Sequence, residues 1–244
     1  MKIAVIGGTG LIGSQVVTML RADGHEAVPH SPSTGLDLLS GAGLPEALES
    51  ADVVVNLTNS PTFDEAARAF FRTSMENLLS AAAEAGVGHA VILSIVGVDR
   101  VPGFVYYEAK VLQEQLLTAG PVPWSIVRAT QFFEFLDTIV TSDPGPDAVH
   151  LPPTPVQPMA AADVARAVAD VSAGAPLNGI RNVAGPEVFT LDDLGRAVLA
   201  AHGDQRPVVT DPEAGLFAAV PGDAIIGGDD AVPAKTTLQE WLAR

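Results

Sequence analysis

The chain contains no cysteine, which removes disulfides, thiolate nucleophiles and zinc–cysteine centres from its chemistry. Positive charge is scarce. Thirteen Lys and Arg stand against 29 Asp and Glu, a net charge of −16 over 244 residues, so nucleic acid and anionic membranes would be repelled. Neither is expected as a partner, and the acidic excess reads as a solvated face. No uninterrupted apolar run approaches the length of a bilayer span. The N-terminal apolar run is five residues long and already belongs to a strand, so no leader is expected and the reading is of a cytoplasmic chain. Five histidines, His25, His30, His89, His150 and His202, are scattered without ligand spacing. A metal site is not expected, and most of these histidines read as surface or turn residues.

What is present is a globular composition, 48% hydrophobic and 17% charged, in a chain long enough for one large core. Its most informative stretch comes first. The strand-like Lys2-Ile3-Ala4-Val5-Ile6 runs directly into Gly7-Gly8-Thr9-Gly10-Leu11-Ile12-Gly13, which opens an apolar-periodic helix. Gly8, Gly10 and Gly13 satisfy GxGxxG, and Gly7, Gly10 and Gly13 satisfy GxxGxxG. The pattern suits a dinucleotide pyrophosphate for physical reasons. One glycine turns with positive φ, one lets phosphate approach the backbone, and one lets helix and strand pack closely. The amides and positive end of the following helix then meet the negative charge.

Strand-like and helix-like segments alternate through the first half. Helices are expected over 11–22, 44–49, 63–85 and 106–117, and strands over 26–28, 52–56, 90–94 and 124–127. Such alternation, with continuously apolar strands, implies a doubly wound parallel α/β sheet of the Rossmann type covered on both faces. Beyond about residue 130 the rhythm loosens. Pro144, Pro146, Pro152, Pro153, Pro155 and Pro158 break the chain, and helices resume over 161–171 and 191–201, with Asp163 and Thr190 as expected N-terminal caps. The expected organisation is one domain over 1–244. Residues 1–130 or so form a dinucleotide-binding core, and 131–244 form a smaller substrate-side lobe.

A second motif is Tyr106-Tyr107-Glu108-Ala109-Lys110. A phenol and an ammonium four residues apart at the start of a helix share a face, and a cation there would lower the phenol pKa from its usual ~10. Tyr106 would then serve as a proton donor. Ser94, at the end of the preceding strand, offers a hydroxyl to a substrate oxygen.

Taken together these residues resemble the short-chain dehydrogenase/reductase superfamily in its atypical, NmrA-like branch. The likeness includes Gly7 to Gly13, Asp37 after a short third strand, Thr73 to Leu79 with Ala81 and Ala82, Ser94 to Arg100, and Tyr106 to Lys110. It extends through Arg128 to Glu134 and Ala184-Gly185-Pro186-Glu187, nearly the whole chain. The resemblance implies pyrophosphate contacts at Gly7, Gly10, Leu11 and Ile12, an adenine edge at Asp37 and Leu38, and ribose contacts at Asn56, Leu57 and Thr58. It also implies that Lys110 hydrogen-bonds the nicotinamide ribose while Tyr106 acts as the acid, with Ser94 as the third catalytic residue and Tyr107 lining the pocket. Phe132, Phe133 and Phe135 read either as a pocket wall or as core.

An NAD site wants a carboxylate at the end of the second strand, for the ribose 2′-hydroxyl. That strand ends in Val28-Pro29-His30-Ser31-Pro32-Ser33-Thr34-Gly35, with no acid. Ser31, Ser33 and Thr34 can donate to a 2′-phosphate and His30 can add charge, so NADP is favoured, with NAD the alternative. The resulting expectation is an NADPH-dependent reductase of a carbonyl or quinone on a small, largely apolar molecule, monomeric or dimeric. Two alternatives belong to other classes: a dinucleotide-binding redox sensor without turnover, and an epimerase or isomerase.

Overall fold

A computed structural model describes residues 1–136, 138 and 147–243. Pro144 and Pro146, expected to break the chain, lie outside the described residues. Two compact units divide the chain, and they interleave instead of following one another at residue 130. The first comprises Met1–Ser94, Pro102–Arg128 and Val164–Arg181; the second comprises Ile95–Val101, Ala129–Asp163 and Asn182–Arg244.

The first unit carries β1 (Lys2–Ile6), α1 (Leu11–Ala22), β2 (Glu26–His30), α2 (Leu44–Leu48), β3 (Val53–Asn56), α3 (Glu65–Glu84), β4 (His89–Ile95), α4 (Val105–Ala119) and β5 (Trp124–Ala129). β6 (Val149–Leu151), β7 (Pro155–Val156), α5 (Ala161–Ala173), β8 (Gly179–Ala184), β9 (Phe189–Thr190), α6 (Leu191–Ala201), β10 (Val208–Thr210), β11 (Val232–Pro233) and α7 (Leu238–Leu242) follow. Seven strands form one sheet in the order β11-β8-β5-β4-β3-β1-β2. The pairs β1–β2, β1–β3, β3–β4 and β8–β11 run parallel. In the second unit, β6 pairs with β10 and β7 with β9.

The chain leaves β1 for β2 on one side and then returns to β3 on the other, so the winding reverses at β1. In open α/β sheets that reversal opens a crevice at the carboxyl ends of the strands. Gly7 follows β1 there and Leu57 follows β3.

Local chemistry explains the elements. Ile3, Ala4, Val5 and Ile6 are all buried because the sheet is covered on both faces. Ile12, Val16, Val17 and Leu20 make the buried stripe of α1, and α1 ends before Gly24 with φ +86°. Ala4, Ile6, Leu48, Val54, Met75, Leu78, Ile92, Leu117 and Ile126 belong to one buried cluster in the first unit.

Three expectations are corrected. The helix predicted from Phe63 begins at Glu65, because Asp64 caps it by accepting the Ala66 N–H at 3.0 Å. The short strand predicted just before Asp37 is absent. The Asp37 carboxylate takes the Leu39 N–H and the Ser40 hydroxyl, which turns the chain, and only an isolated bridge to Ala42 remains. Asp163 lies inside α5 and accepts from the Thr236 N–H, while Glu134 receives the N–H of Ala161 at the helix start.

Candidate active site

The glycine turn shows which of its glycines the fold itself demands. Gly7 has φ +79°, and a Cβ there would stand 2.9 Å from the Leu57 carbonyl carbon. On Gly8 it would lie 2.6 Å from the Val5 carbonyl oxygen, and on Gly13 2.1 Å from that of Gly7. These three are glycine because the strands and α1 pack too closely for anything else. Gly10 differs. Its Cβ would meet nothing nearer than the Gly7 carbonyl oxygen at 3.4 Å, an ordinary contact. Packing within the chain does not explain the missing side chain, and Gly10 is exposed at the N-cap of α1, with no side-chain cap. The space in front of Gly10 is open, and a side chain at this position would fill it.

Thr9 and Leu11 are exposed beside it, and Ile12 is buried beneath. The N–H groups of Gly7 and Gly8 both donate to the His30 carbonyl, at 2.8 and 3.2 Å, which ties the turn to the end of β2. His30 itself is half-buried, and burial followed by the nearby Lys2 charge holds its imidazole below the usual range.

After His30 the chain closes into a short helical turn over Pro32–Thr34. Ser31 accepts at the third position of the turn while the Thr34 hydroxyl accepts the Ser31 N–H at 2.8 Å. Ser31 is buried and shares a 2.8 Å hydrogen bond with Ser33, whose side chain lies in an exposed residue. Ser31 and Thr34 thus shape the turn. Ser33 presents the turn's outward hydroxyl.

Asn56, at the end of β3, is buried. Its Oδ1 accepts from the Thr58 N–H and hydroxyl, at 3.0 and 2.7 Å, and its Nδ2 donates to the Met75 sulfur. Asn56 therefore organises the strand end, leaving the half-buried Leu57 and Thr58 against Gly7. The Leu38 side chain belongs to the core, and its carbonyl accepts from Asn77 at 2.8 Å, whereas Asp37 is exposed. Its carboxyl is held below the usual range, first by the Ser40 hydroxyl and then by the Leu39 N–H.

The tyrosine–lysine pair departs from expectation. Tyr106 and Lys110 do lie one turn apart on α4, yet no hydrogen bond joins them. The Lys110 ammonium is buried, donates to the Leu93 carbonyl at 2.8 Å and to Gln113 Oε1, and stands 4.9 Å over the Phe71 ring. Burial pushes it down to about 8, against the favourable field of Glu114. Glu114 is itself paired with Arg128 at 2.6 Å. Tyr106 donates its hydroxyl proton to Asn59 Oδ1 at 2.5 Å, and burial raises it to about 12, outweighing the lowering effect of that bond. The expected lowering of the phenol pKa by the lysine is thus reversed, because desolvation outweighs any cationic influence. Tyr107 is likewise pushed up to about 12 by burial.

Ser94 sits at the end of β4, 4% exposed, and its Oγ has no hydrogen-bond partner. A buried hydroxyl without a partner is destabilising. Neither packing nor capping explains it.

Sequence reasoning passed over Asn59 and Gln113. Asn59 and Gln113 stand in no motif, and only the fold carries them to Tyr106 and Lys110. Among the histidines His89 is the buried one, with Nε2 2.8 Å from Ser125 Oγ. In the second unit Phe133 is core against Trp241, while Phe132 stacks on the exposed Phe135 with ring centroids 5.6 Å apart.

Residues 7–173 match the model of the NAD(P)H-binding family. No curated protein matches the chain. Among solved structures, the fold is similar to that of MoeE5 in complex with UDP-glucose and NAD, with a TM-score of 0.75 and 18% identity, covering 100% of this chain and 96% of that one. It is similar to triphenylmethane reductase from Citrobacter sp. complexed with NADP(H), with a TM-score of 0.75, 18% identity and coverage of 100% and 99%. It is also similar to a nucleoside-diphosphate-sugar epimerase from Staphylococcus aureus, with a TM-score of 0.73, 16% identity and full coverage of both chains. At these identities the likeness is one of fold.

Proposed function

The chain belongs to the NAD(P)H-binding family, and from that premise we propose that it is an NADPH-dependent oxidoreductase reducing a carbonyl or quinone of a small, largely apolar substrate. The observation that carries the cofactor half of this reading is Gly10. Its neighbours are glycine because the backbone crowds them, whereas Gly10 is glycine with open space before it.

The residues present suit the cofactor. The Leu11 and Ile12 N–H groups, in the first turn of α1, would hold the pyrophosphate in front of Gly10. Leu57 and Thr58 would line a ribose, and the Asp37–Leu38 segment would border the adenine. Ser33 supplies the exposed hydroxyl for a 2′-phosphate, on a turn that Ser31 and Thr34 shape. No carboxylate stands in the segment from Val28 to Gly35 to repel that phosphate, which favours NADP over NAD.

Reduced nicotinamide supplies a hydride when bound, two electrons and one proton. What this chain adds is orientation and polar contact. Ser94 offers its hydroxyl to the substrate oxygen, a role that would satisfy the group left without a partner in the fold. Lys110 acts one step removed: by holding the Leu93 carbonyl it fixes the end of β4, one residue before Ser94. It is a positioning residue in this reading, and the ribose contact falls to other groups. The acidic excess would repel nucleic acid and anionic membranes, so the partner proposed is a small molecule, for a chain placed in the cytoplasm.

Titration of the purified chain with NADPH and NADH, followed by a screen of carbonyls and quinones for NADPH oxidation, tests the proposal. Binding with turnover of at least one acceptor supports it. Binding with no turnover points to a redox sensor, and tightly retained nicotinamide with no net oxidation points to an epimerase.

A further inference from the structure

We propose that the loop between β3 and α3, residues 59–64, is the substrate-recognition element, and that it selects a planar conjugated aromatic carbonyl compound, of which a quinone is the simplest, through the Phe63 ring and the Asn59 amide. This rests on the reductase reading above and names its substrate class.

The Phe63 side chain is 67% exposed, one of the most exposed large apolar groups among the described residues. A singly exposed hydrophobic residue is ordinary, but this one stands beside other aromatic rings on an ordered loop. This loop is tied down. Asn59 Oδ1 takes the Ser60 N–H at 3.0 Å, and the buried Ser60 takes the Thr62 N–H at 3.3 Å. The Thr62 hydroxyl donates to Asp64 at 2.8 Å, and Asp64 caps α3. Every one of these bonds would survive with a polar residue at position 63, which would also spare the exposed ring its contact with water. The loop's hydrogen bonds give no reason for a phenyl group there.

The ring is also aimed. It meets Tyr106 in an edge-on contact, centroids 4.8 Å apart and planes at 63°. Tyr106 adjoins Tyr107 at 6.4 Å, and Tyr107 adjoins Phe104 at 5.6 Å. Three of these four rings are only half-buried, so a row of aromatic edges and faces stands in one place. Flat π systems prefer offset or edge-on partners of this kind.

Asn59 supplies the polar half. Its Oδ1 is used twice, by Ser60 N–H and by the Tyr106 hydroxyl, which fixes which end of the amide is oxygen. Its Nδ2 has no hydrogen-bond partner among the described residues and lies on an exposed residue. It is a donor held in a set orientation beside an aromatic row. The complementary ligand is flat, conjugated and carries an acceptor oxygen.

Proton chemistry separates a quinone from a saturated ketone here. A quinone takes a hydride from the reduced nicotinamide and a proton from solvent, becoming a hydroquinone as the nicotinamide is oxidised. The oxygen that first receives the electrons is phenolate-like, with basicity near that of a tyrosine phenolate, ~10, and it can wait for solvent. A saturated ketone would leave a far more basic alkoxide and would need a ready protein acid. Tyr106 is poorly placed for that, since its proton is committed to Asn59 and burial pushes it up to about 12. In this account Tyr106 is a positioning residue that steadies Asn59 and Phe63.

The test uses the full chain loaded with NADP⁺, so that binding is read apart from turnover. Saturation-transfer NMR follows menadione, with 2,3-butanedione as a non-aromatic control. Phe63→Ala should weaken menadione binding about tenfold, the loss of an aromatic contact and its buried area. Phe63→Tyr should stay within about twofold, keeping the ring. Asn59→Ala should weaken menadione too, with a modest drop in melting temperature because the Ser60 N–H and the Tyr106 hydroxyl lose their acceptor; neither Phe63 variant should alter NADP⁺ affinity or the melting temperature appreciably. Unchanged menadione affinity in Phe63→Ala, or no menadione binding by the wild type, overturns the proposal. NADPH oxidation is the separate arm. Binding that depends on Phe63 without any turnover keeps the loop assignment and overturns the reductase reading. Turnover indifferent to Phe63 does the reverse.

Discussion

Lys110 donates to the main-chain carbonyl of Leu93 at 2.8 Å, so the cation of the tyrosine–lysine motif is spent on the underside of β4 and not on the phenol one turn away. The Phe71 ring adjoins both residues, 4.9 Å from the Lys110 nitrogen and 6.2 Å from the Tyr106 ring. Gln113 completes the arrangement by accepting from Lys110 and donating to the Met75 sulfur, which also receives Asn56. A buried polar chain thus joins the ends of β3 and β4 beneath the candidate site.

This burial predicts a pH signature. The folded value for Lys110, about 8, lies below its ordinary 10.5. Between those values the unfolded chain binds more protons, so stability rises as pH is raised through that window. Tyr106 and Tyr107 act in the opposite sense only above pH 10, where the unfolded phenols ionise first while the folded ones wait until about 12. Between pH 8 and 10 the wild type should therefore gain on the order of 2 kcal/mol in urea denaturation. Lys110→Met should flatten that rise and leave NADPH affinity within a few-fold. A large loss of cofactor affinity in Lys110→Met would instead restore the ribose contact that its motif implies.

At the glycine turn, Gly10→Val should fold normally, since φ −80° and ψ −178° suit any residue and the first neighbour lies at 3.4 Å. Its branched side chain would fill the pyrophosphate cradle, so calorimetry should detect no binding of either NADPH or NADH. Gly13→Ala is the contrasting case, with a Cβ 2.1 Å from the Gly7 carbonyl oxygen, and should lower the melting temperature outright. Unimpaired dinucleotide binding by a folded Gly10→Val would show that the ligand lies elsewhere.

Ser33→Asp addresses cofactor choice. The side chain is exposed, so the fold should tolerate the change, and a carboxylate there would repel a 2′-phosphate while leaving a 2′-hydroxyl room to donate to it. NADPH affinity should fall by at least tenfold, the weight of ~1.5–3 kcal/mol for hydrogen bonds to a charged group. NADH affinity should hold or rise. Parallel losses for the two cofactors would remove the phosphate assignment from this turn.

Ser94→Ala separates function from fold. The Ser94 hydroxyl is buried and unpartnered, a state that costs about 1–3 kcal/mol. Removing it should raise the melting temperature slightly or leave it alone, and should lower kcat/KM for any accepted substrate. Higher stability with undiminished turnover would reduce Ser94 to an accident of packing.

The sequence by itself determined the dinucleotide turn, because its evidence is local. The strand Lys2–Ile6, the glycines that follow and the apolar stripe of α1 lie within some 20 consecutive residues, and their spacing alone dictates the geometry. The alternation of strands and helices was legible for the same reason, as was Thr190 at the N-cap of α6. Where local chemistry was subtler the reading slipped: Asp64 capped a helix two residues later than periodicity suggested, and Asp37 turned a chain expected to extend. The environment of the tyrosine–lysine pair could be decided only by the tertiary structure. Four-residue spacing places two side chains on one face of a helix, but it says nothing about what covers that face. Here the cover is Phe71 from α3, Leu93 from β4 and Asn59 from the loop after β3, distant in sequence and brought together by the sheet. Charge state depends on desolvation and on partners, both properties of that packing. The same residues that read as an activated phenol in one dimension are, in three, a protonated tyrosine tied to an asparagine and a lysine buried beneath a strand.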